Sequence, residues 1–105
     1  MMENIYTTDL TSLTSSGKVI IEFYGNGCLN CQMMSPILDN LEHVLYDVQF
    51  YRINADDYPN LIHAYHITSL PSLLIFRDGQ LLSTIVGVKP VMTLQMQIED
   101  ILNYA

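Results

Sequence analysis

A buried strand followed at once by a glycine turn and two cysteines is the feature that most constrains this fold. Lys18–Tyr24 is β-branched, aromatic and almost continuously apolar, which is typical of a parallel strand covered on both faces. After the turn at residues 25–27, apolar residues recur at helical spacing, at Met34, Ile37, Leu38, Leu41 and Leu45. The pattern predicts a central strand and a helix that begins at or near Cys28 and continues through Pro36 with a kink.

The alternation of strands and helices continues beyond this helix. Val48–Asn54 predicts the next strand, and residues 58–65 predict a short helix with proline at its second position. Residues 73–76 and Gln80–Val86 flank an Asp-Gly pair, which is a strong signal for an antiparallel hairpin. We therefore expect an α/β fold whose last two strands are antiparallel.

The two ends of the chain are expected to complete one domain. From Pro90 onward an apolar stripe predicts a closing helix, and residues 1–16 predict a short edge strand followed by a Thr/Ser-rich helix. The chain has 105 residues, half of them hydrophobic and 14% charged. These values exclude intrinsic disorder and fit a single domain, residues 1–105, around one core.

The charge balance narrows the choice of partners. Four Lys and Arg residues against eleven Asp and Glu residues give a net charge of −7, which disfavours binding to nucleic acid or to an anionic membrane surface. No apolar run is long enough to span a bilayer. The N-terminal residues lack the basic and apolar stretches of a secretory signal, so we expect a cytoplasmic protein.

Cys28 and Cys31 are the only cysteines, and most of the functional interpretation depends on them. In the first turn of a helix both sulfurs lie on one face, with Cβ atoms roughly 5 to 6 Å apart and within reach of a disulfide. The helix N-terminus lowers a thiol pKa, so Cys28 is expected to be the attacking thiolate and to accept hydrogen bonds from the amides of Asn30 and Cys31. Cys31 is expected to keep its proton and to resolve the mixed disulfide.

Two other interpretations of this pair remain open. A structural disulfide would close only a four-residue loop, worth roughly 2 kcal/mol, and a reducing compartment would keep it reduced. A zinc site would need His63 and His66 as further ligands, but the 31 residues between the two pairs match no usual finger spacing. We expect no bound metal.

The cysteine pair and its surroundings resemble the thioredoxin family. The resemblance rests on the strand end Glu22-Phe23-Tyr24, the Cys28-Leu29-Asn30-Cys31 motif, Pro36, and the tract at residues 67–76. It covers nearly the whole chain. It implies the thioredoxin fold, a central mixed β-sheet flanked by helices on both faces.

The resemblance also implies roles for individual residues. Cys28 would be the nucleophile, Cys31 the resolving thiol, and Leu70–Pro71 a cis peptide bond facing the pair. The backbone of Leu70 would pair with an extended client segment, and Gly87 would form the opposite wall. Strand addition of this kind uses hydrogen bonds to the main chain of the client, and so it tolerates varied client side chains.

Glu22 stands where many thioredoxins have a buried acid that exchanges protons with the resolving cysteine. Burial raises the pKa of a carboxyl group and suits it to this task. The alternative is a structural ion pair with Arg52, which stands where the family often has Lys. Because arginine stays charged, we expect Arg52 to tune the acid and to limit the upward shift of its pKa.

Three departures from the family pattern predict altered reactivity. Leu29 and Asn30 replace Gly-Pro between the cysteines, and the chain has no tryptophan, so Tyr24 and Gly27 stand where the family usually has one. Asn30 restores a backbone N–H that could stabilise the Cys28 thiolate, which predicts a less reducing protein. Gly27 removes a bulky rim and leaves the nucleophile more open to clients.

The expected function is therefore reduction of protein disulfides by a dithiol/disulfide cycle. The resemblance implies no bound cofactor, disulfide-containing client proteins, and electrons supplied from NADPH through a flavoprotein thioredoxin reductase. Such a protein would serve electron transport and cell redox homeostasis, and we expect a monomer. A more oxidising or isomerising thiol enzyme and a non-catalytic adaptor with the same fold are the alternatives.

Overall fold

A computed structural model of the chain describes residues 2–104 as a five-stranded sheet with helices against it. In chain order the elements are β1 Glu3–Asn4, α1 Thr11–Thr14, β2 Lys18–Tyr24, α2 Leu29–Val44, β3 Val48–Asn54, a 3₁₀ turn Ala55–Asp57, α3 Pro59–Ala64, β4 Ser72–Arg77, β5 Gln80–Val86 and α4 Val91–Tyr104. The predicted bounds of β2, β3 and β5 are confirmed. The short helix predicted at residues 58–65 is α3, which the 3₁₀ turn precedes.

The sheet has the order β1-β3-β2-β4-β5, so β2 is its central strand. β2 runs parallel to β3 and antiparallel to β4, and β5 pairs antiparallel with β4. The predicted mixed sheet is thus confirmed, and β1 is the predicted edge strand. The register places Glu22 of β2 directly opposite Arg52 of β3.

Successive side chains of the strands pack into two separate cores. Ile20, Phe50 and Leu73 join the apolar stripes of α2 and α4 on one face of the sheet. Ile21 and Leu74, one position further along their strands, join residues of α1 and α3 on the other face. This period of two confirms that helices flank both faces. Glu22 and Arg52 therefore lie on the α2 side.

The hairpin between β4 and β5 turns at Asp78 and Gly79. Their φ angles are 49° and 86°, as the two central residues of a type I′ turn require. The Asp78 carboxylate also accepts a 2.8 Å hydrogen bond from the N–H of Gly17. The Asp-Gly signal is therefore confirmed. Within residues 2–104, no helix combines the length and hydropathy needed to cross a bilayer.

Candidate active site

Cys28 is the N-cap of α2 and is joined to Cys31 by a disulfide. The two Cα atoms are 5.2 Å apart, within the range of about 4.4 to 6.8 Å that is usual for disulfides. The Sγ atom of Cys28 accepts a hydrogen bond from the N–H of Cys31 at 3.2 Å. The second expected hydrogen bond, from the N–H of Asn30 to Sγ of Cys28, is not formed. In this disulfide form the N–H of Cys31, the third residue of the helix, is the donor to that sulfur.

The two cysteines differ in accessibility. Cys31 is 3% exposed, whereas Cys28 is only half-buried. Attack on a bulky disulfide requires an accessible sulfur, and of the two cysteines Cys28 is the more accessible. Cys31 lies within bonding distance beneath it, as a resolving thiol must.

Leu70–Pro71 is a cis peptide bond, as the family resemblance implied. The carbonyl oxygen of Pro71 accepts a 2.9 Å hydrogen bond from the N–H of Gly87, which joins the two expected walls of the client groove. Among residues 2–104, neither the N–H nor the C=O of Leu70 forms a hydrogen bond. Leu70 therefore keeps both backbone groups available for an added strand.

Gly25 lets the side chain of Leu70 reach the turn that precedes Cys28. A Cβ atom added at Gly25 would lie 2.8 Å from Cδ1 of Leu70. Since Cβ atoms do not approach other atoms so closely, the absence of a side chain here is what permits the contact. The same contact brings Leu70 beside the turn that carries the nucleophile.

Glu22 and Arg52 form the ion pair that was considered as an alternative role. Glu22 is 1% exposed, and its Oε1 lies 3.5 Å from Nε of Arg52. Among the described residues its Oε2 has no hydrogen-bond partner. The pKa of Glu22 is raised to about 7, mainly because the carboxyl group is buried. The charge of Arg52 lowers this pKa, and the charge of Asp39 raises it.

Arg52 also packs on Tyr24, which stands at one of the positions where the family usually has tryptophan. The centre of the guanidinium lies 4.0 Å from the centroid of the Tyr24 ring, a cation–π contact. The Tyr24 hydroxyl donates a 2.7 Å hydrogen bond to Oδ1 of Asn4. The ring thus connects Arg52 to the edge strand β1.

A polar network around the turn was not found from the sequence. The N–H of Asn26 donates to Oδ2 of Asp56, and Nδ2 of Asn54 donates to Oδ1 of Asn26 at 2.9 Å. Asn26 follows β2, and Asn54 is the last residue of the neighbouring parallel strand β3; the carboxyl ends of these strands meet at one edge of the sheet. That rule is the signal from which these contacts could have been predicted.

The structure brings the cysteines, Glu22 and Arg52 to one end of β2, but it adds no metal-binding group. Within residues 2–104, no cluster of three or more His, Cys, Asp or Glu side chains is arranged to hold a metal ion. The histidines that a zinc site would have needed do not form such a cluster with the cysteines.

Comparison with known proteins identifies the family. Residues 2–100 match the family model for thioredoxin. Thioredoxin from Chlamydia caviae is 32% identical over 89 residues, which cover 85% of this chain and 87% of that protein. Thioredoxin 1 from Synechococcus elongatus is 37% identical over 83 residues, or 78% of each chain. Oxidized mitochondrial thioredoxin 3 from Saccharomyces cerevisiae superposes with a TM-score of 0.82 at 29% identity, covering 94% of both chains. The chain therefore belongs to the thioredoxin family and is a protein-disulfide oxidoreductase.

Proposed function

We propose that this protein reduces disulfides in client proteins, with Cys28 as nucleophile and Cys31 as resolving thiol. The observation that carries this proposal is an accessible sulfur at a helix N-cap with a buried partner at bonding distance. The Cys28 thiolate attacks one client sulfur, the client S–S bond breaks, and one client thiolate leaves. The Cys31 thiolate then attacks Sγ of Cys28, so that the second client thiolate leaves and two electrons have passed to the client.

Glu22 is proposed to accept the proton of Cys31 in the second step. Its side chain points to the face of the sheet that α2 covers, as the strand alternation shows. A carboxyl group with a pKa of about 7 gains and loses a proton readily near neutral pH. Arg52 is proposed to set this pKa, since its charge opposes the effect of burial.

Leu70 is proposed to hold the client beside Cys28 by strand addition. The two unused backbone groups of Leu70 support this role, because an extended segment can pair with one N–H and one C=O. Gly87 is proposed to bound the groove on the far side of Pro71. Gly27 is exposed and adds no side chain at the rim, which leaves room for a client.

The electron source and the location belong to the same proposal. We propose that a flavoprotein thioredoxin reductase returns electrons from NADPH to the Cys28–Cys31 disulfide, and that the protein acts in the cytoplasm in cell redox homeostasis. A reducing compartment favours this direction because its glutathione and thioredoxin pools keep thiols reduced. Membership of the thioredoxin family supports a reductase as the electron source.

The decisive experiment follows reduction of a disulfide-bonded test protein with NADPH and a thioredoxin reductase. We expect turnover with the wild type, a covalent client adduct on Cys28 with Cys31→Ser, and neither with Cys28→Ser. If the wild type instead oxidises a reduced test protein and does not accept electrons from the reductase, a disulfide oxidase is the correct assignment.

A further inference from the structure

A cleft lies beside the disulfide, and its lining differs from the proposed client groove at Leu70, Pro71 and Gly87. Its volume is about 330 Å³, which is the size of a small-molecule site. Both cysteines line it, together with Gly27, Gln32 and Arg52. Gly27 places no side chain over it, so the cleft opens to solvent next to the reactive sulfurs.

Arg52 is the one charged side chain among the described residues that line this cleft. It is one of only four Lys and Arg residues in a chain with a net charge of −7. Its side chain is 22% exposed, and among residues 2–104 its guanidinium forms the Glu22 ion pair and the Tyr24 stack but no hydrogen bond. A guanidinium has five N–H donors, so it can take a further carboxylate in a bidentate contact.

Two features favour a small ligand over a folded client at this place. The cleft lies between the turn at residues 25–27 and Arg52. Leu70 and Pro71, which belong to the proposed client groove, do not line it. Its volume also limits what can enter. A molecule that carries a carboxylate a few bonds from a sulfur would meet Arg52 with one end and the cysteines with the other.

We propose that this cleft binds small thiols and disulfides that carry a carboxylate, with the carboxylate on Arg52 and the sulfur at Cys28. The proposal rests on the thiol chemistry of Cys28 and Cys31 described above. In the oxidising direction the Cys28 thiolate attacks a small disulfide, forming a mixed disulfide and releasing one small thiolate. The Cys31 thiolate then attacks Sγ of Cys28 and releases the second, so the dithiol loses two electrons and the small disulfide gains them.

The test compares two small disulfides that differ only in their carboxylates. The fully reduced, full-length protein is mixed with glutathione disulfide or with its carboxylate esters, and rapid alkylation follows the loss of protein thiols. The readout is the rate with glutathione disulfide divided by the rate with the esters. A change at Arg52 that acts only through Glu22 alters both rates equally and leaves this ratio unchanged.

Three variants decide the outcome. We expect Arg52→Gln to lower the ratio at least about tenfold, the lower end of the effect of losing one hydrogen bond to a charged group. Gln32→Glu puts a negative charge at an exposed position of the cleft, and we expect it to lower this ratio as well. Lys18→Gln removes an equal charge at the far end of β2, about 20 Å away, and is expected to change the ratio less than twofold.

An unchanged ratio in Arg52→Gln and Gln32→Glu overturns the cleft as a carboxylate site. An equal fall in Lys18→Gln also overturns it, because only the net charge would then matter. In either case reduction of a protein client by the wild type would still stand. If the wild type reacts with neither small disulfide nor a protein client, the proposed function itself fails.

Discussion

The backbone N–H of Asn26 donates a 2.6 Å hydrogen bond to Oδ2 of Asp56, and this contact ties the turn before Cys28 to the end of β3. Asn54 strengthens the tie, since its Oδ1 accepts from the N–H of Asp56 at 3.0 Å. Cys28 thus enters α2 from a turn that is fixed by a neighbouring strand. The nucleophile has a defined position before any client arrives.

Asp56→Ala should lower the free energy of unfolding by about 1 to 2 kcal/mol, because the N–H of Asn26 loses a charged acceptor. Urea unfolding of the oxidised protein measures this. Asp57→Ala removes the same charge from the adjacent exposed residue and should change stability by less than about 0.5 kcal/mol. Equal losses in the two variants would show that charge, and not the hydrogen bond, is responsible.

Glu22→Gln should flatten the dependence of stability on pH. The pKa of Glu22 is raised from its ordinary value of 4.5 to about 7, so between these values the folded protein binds more protons than the unfolded chain. The wild type therefore loses stability as pH rises through this window, by about 3 kcal/mol in total. Urea unfolding at pH 4, 6 and 8 tests this.

In this experiment the Gln variant should be close to the wild type at pH 4 and gain on it steadily toward pH 8. Glu99→Gln, at a partly exposed position of α4, is the matched control and should keep the wild-type slope. If the wild type and Glu22→Gln show parallel pH profiles, the pKa of the buried acid is not raised.

Gly27→Ala should destabilise the protein by about 1 kcal/mol. The φ angle of Gly27 is 65°, a conformation in which a Cβ atom is strained, even though no neighbouring atom lies within 4 Å of the position it would occupy. Gly27→Asn should lose about half as much, because Asn tolerates this conformation better. Thermal or urea unfolding separates the two, and an Ala variant as stable as the wild type would contradict the assigned backbone conformation.

Asn30→Pro should make the protein more reducing. In the disulfide form the N–H of Asn30 does not bond Sγ of Cys28, so it remains available to stabilise the thiolate once the disulfide opens. Removing a donor worth about 1.5 to 3 kcal/mol lowers the reduction potential by roughly 30 to 60 mV. Equilibration with a glutathione couple measures it, Leu29→Ala is the control that keeps the amide, and an unchanged or higher potential contradicts the assigned role.

The fold could be predicted largely because its signals are local. Hydrophobic periodicity marked β2, β3 and α2, and the Asp-Gly pair marked the hairpin that Asp78 and Gly79 form. The 3₁₀ turn Ala55–Asp57 was not predicted, since its three residues carry no periodic pattern. The turn begins where the Asn54 side chain accepts a hydrogen bond from the N–H of Asp56. In the sequence, an asparagine at this place looks the same as one in any other loop.

The candidate site was predicted where covalent spacing or family resemblance fixed it. The cysteine spacing determined the distance within the pair, and the resemblance supplied the cis bond before Pro71. The contact between Gly25 and Leu70 and the cleft beside Arg52 were not predicted, because they join segments far apart in the chain. Only the packing of the folded sheet brings such segments together.

The stack of Arg52 on Tyr24 has a practical consequence for handling this protein. Because the Tyr24 hydroxyl donates a hydrogen bond to Asn4 of β1, the first strand helps to hold the ring that the Arg52 guanidinium stacks on. An affinity tag or fusion partner that separates β1 from β3 would release the Tyr24 ring. It would thereby disturb the thiol chemistry of the cysteine pair, some twenty positions further along the chain. Fusions attached after α4 leave this anchor untouched.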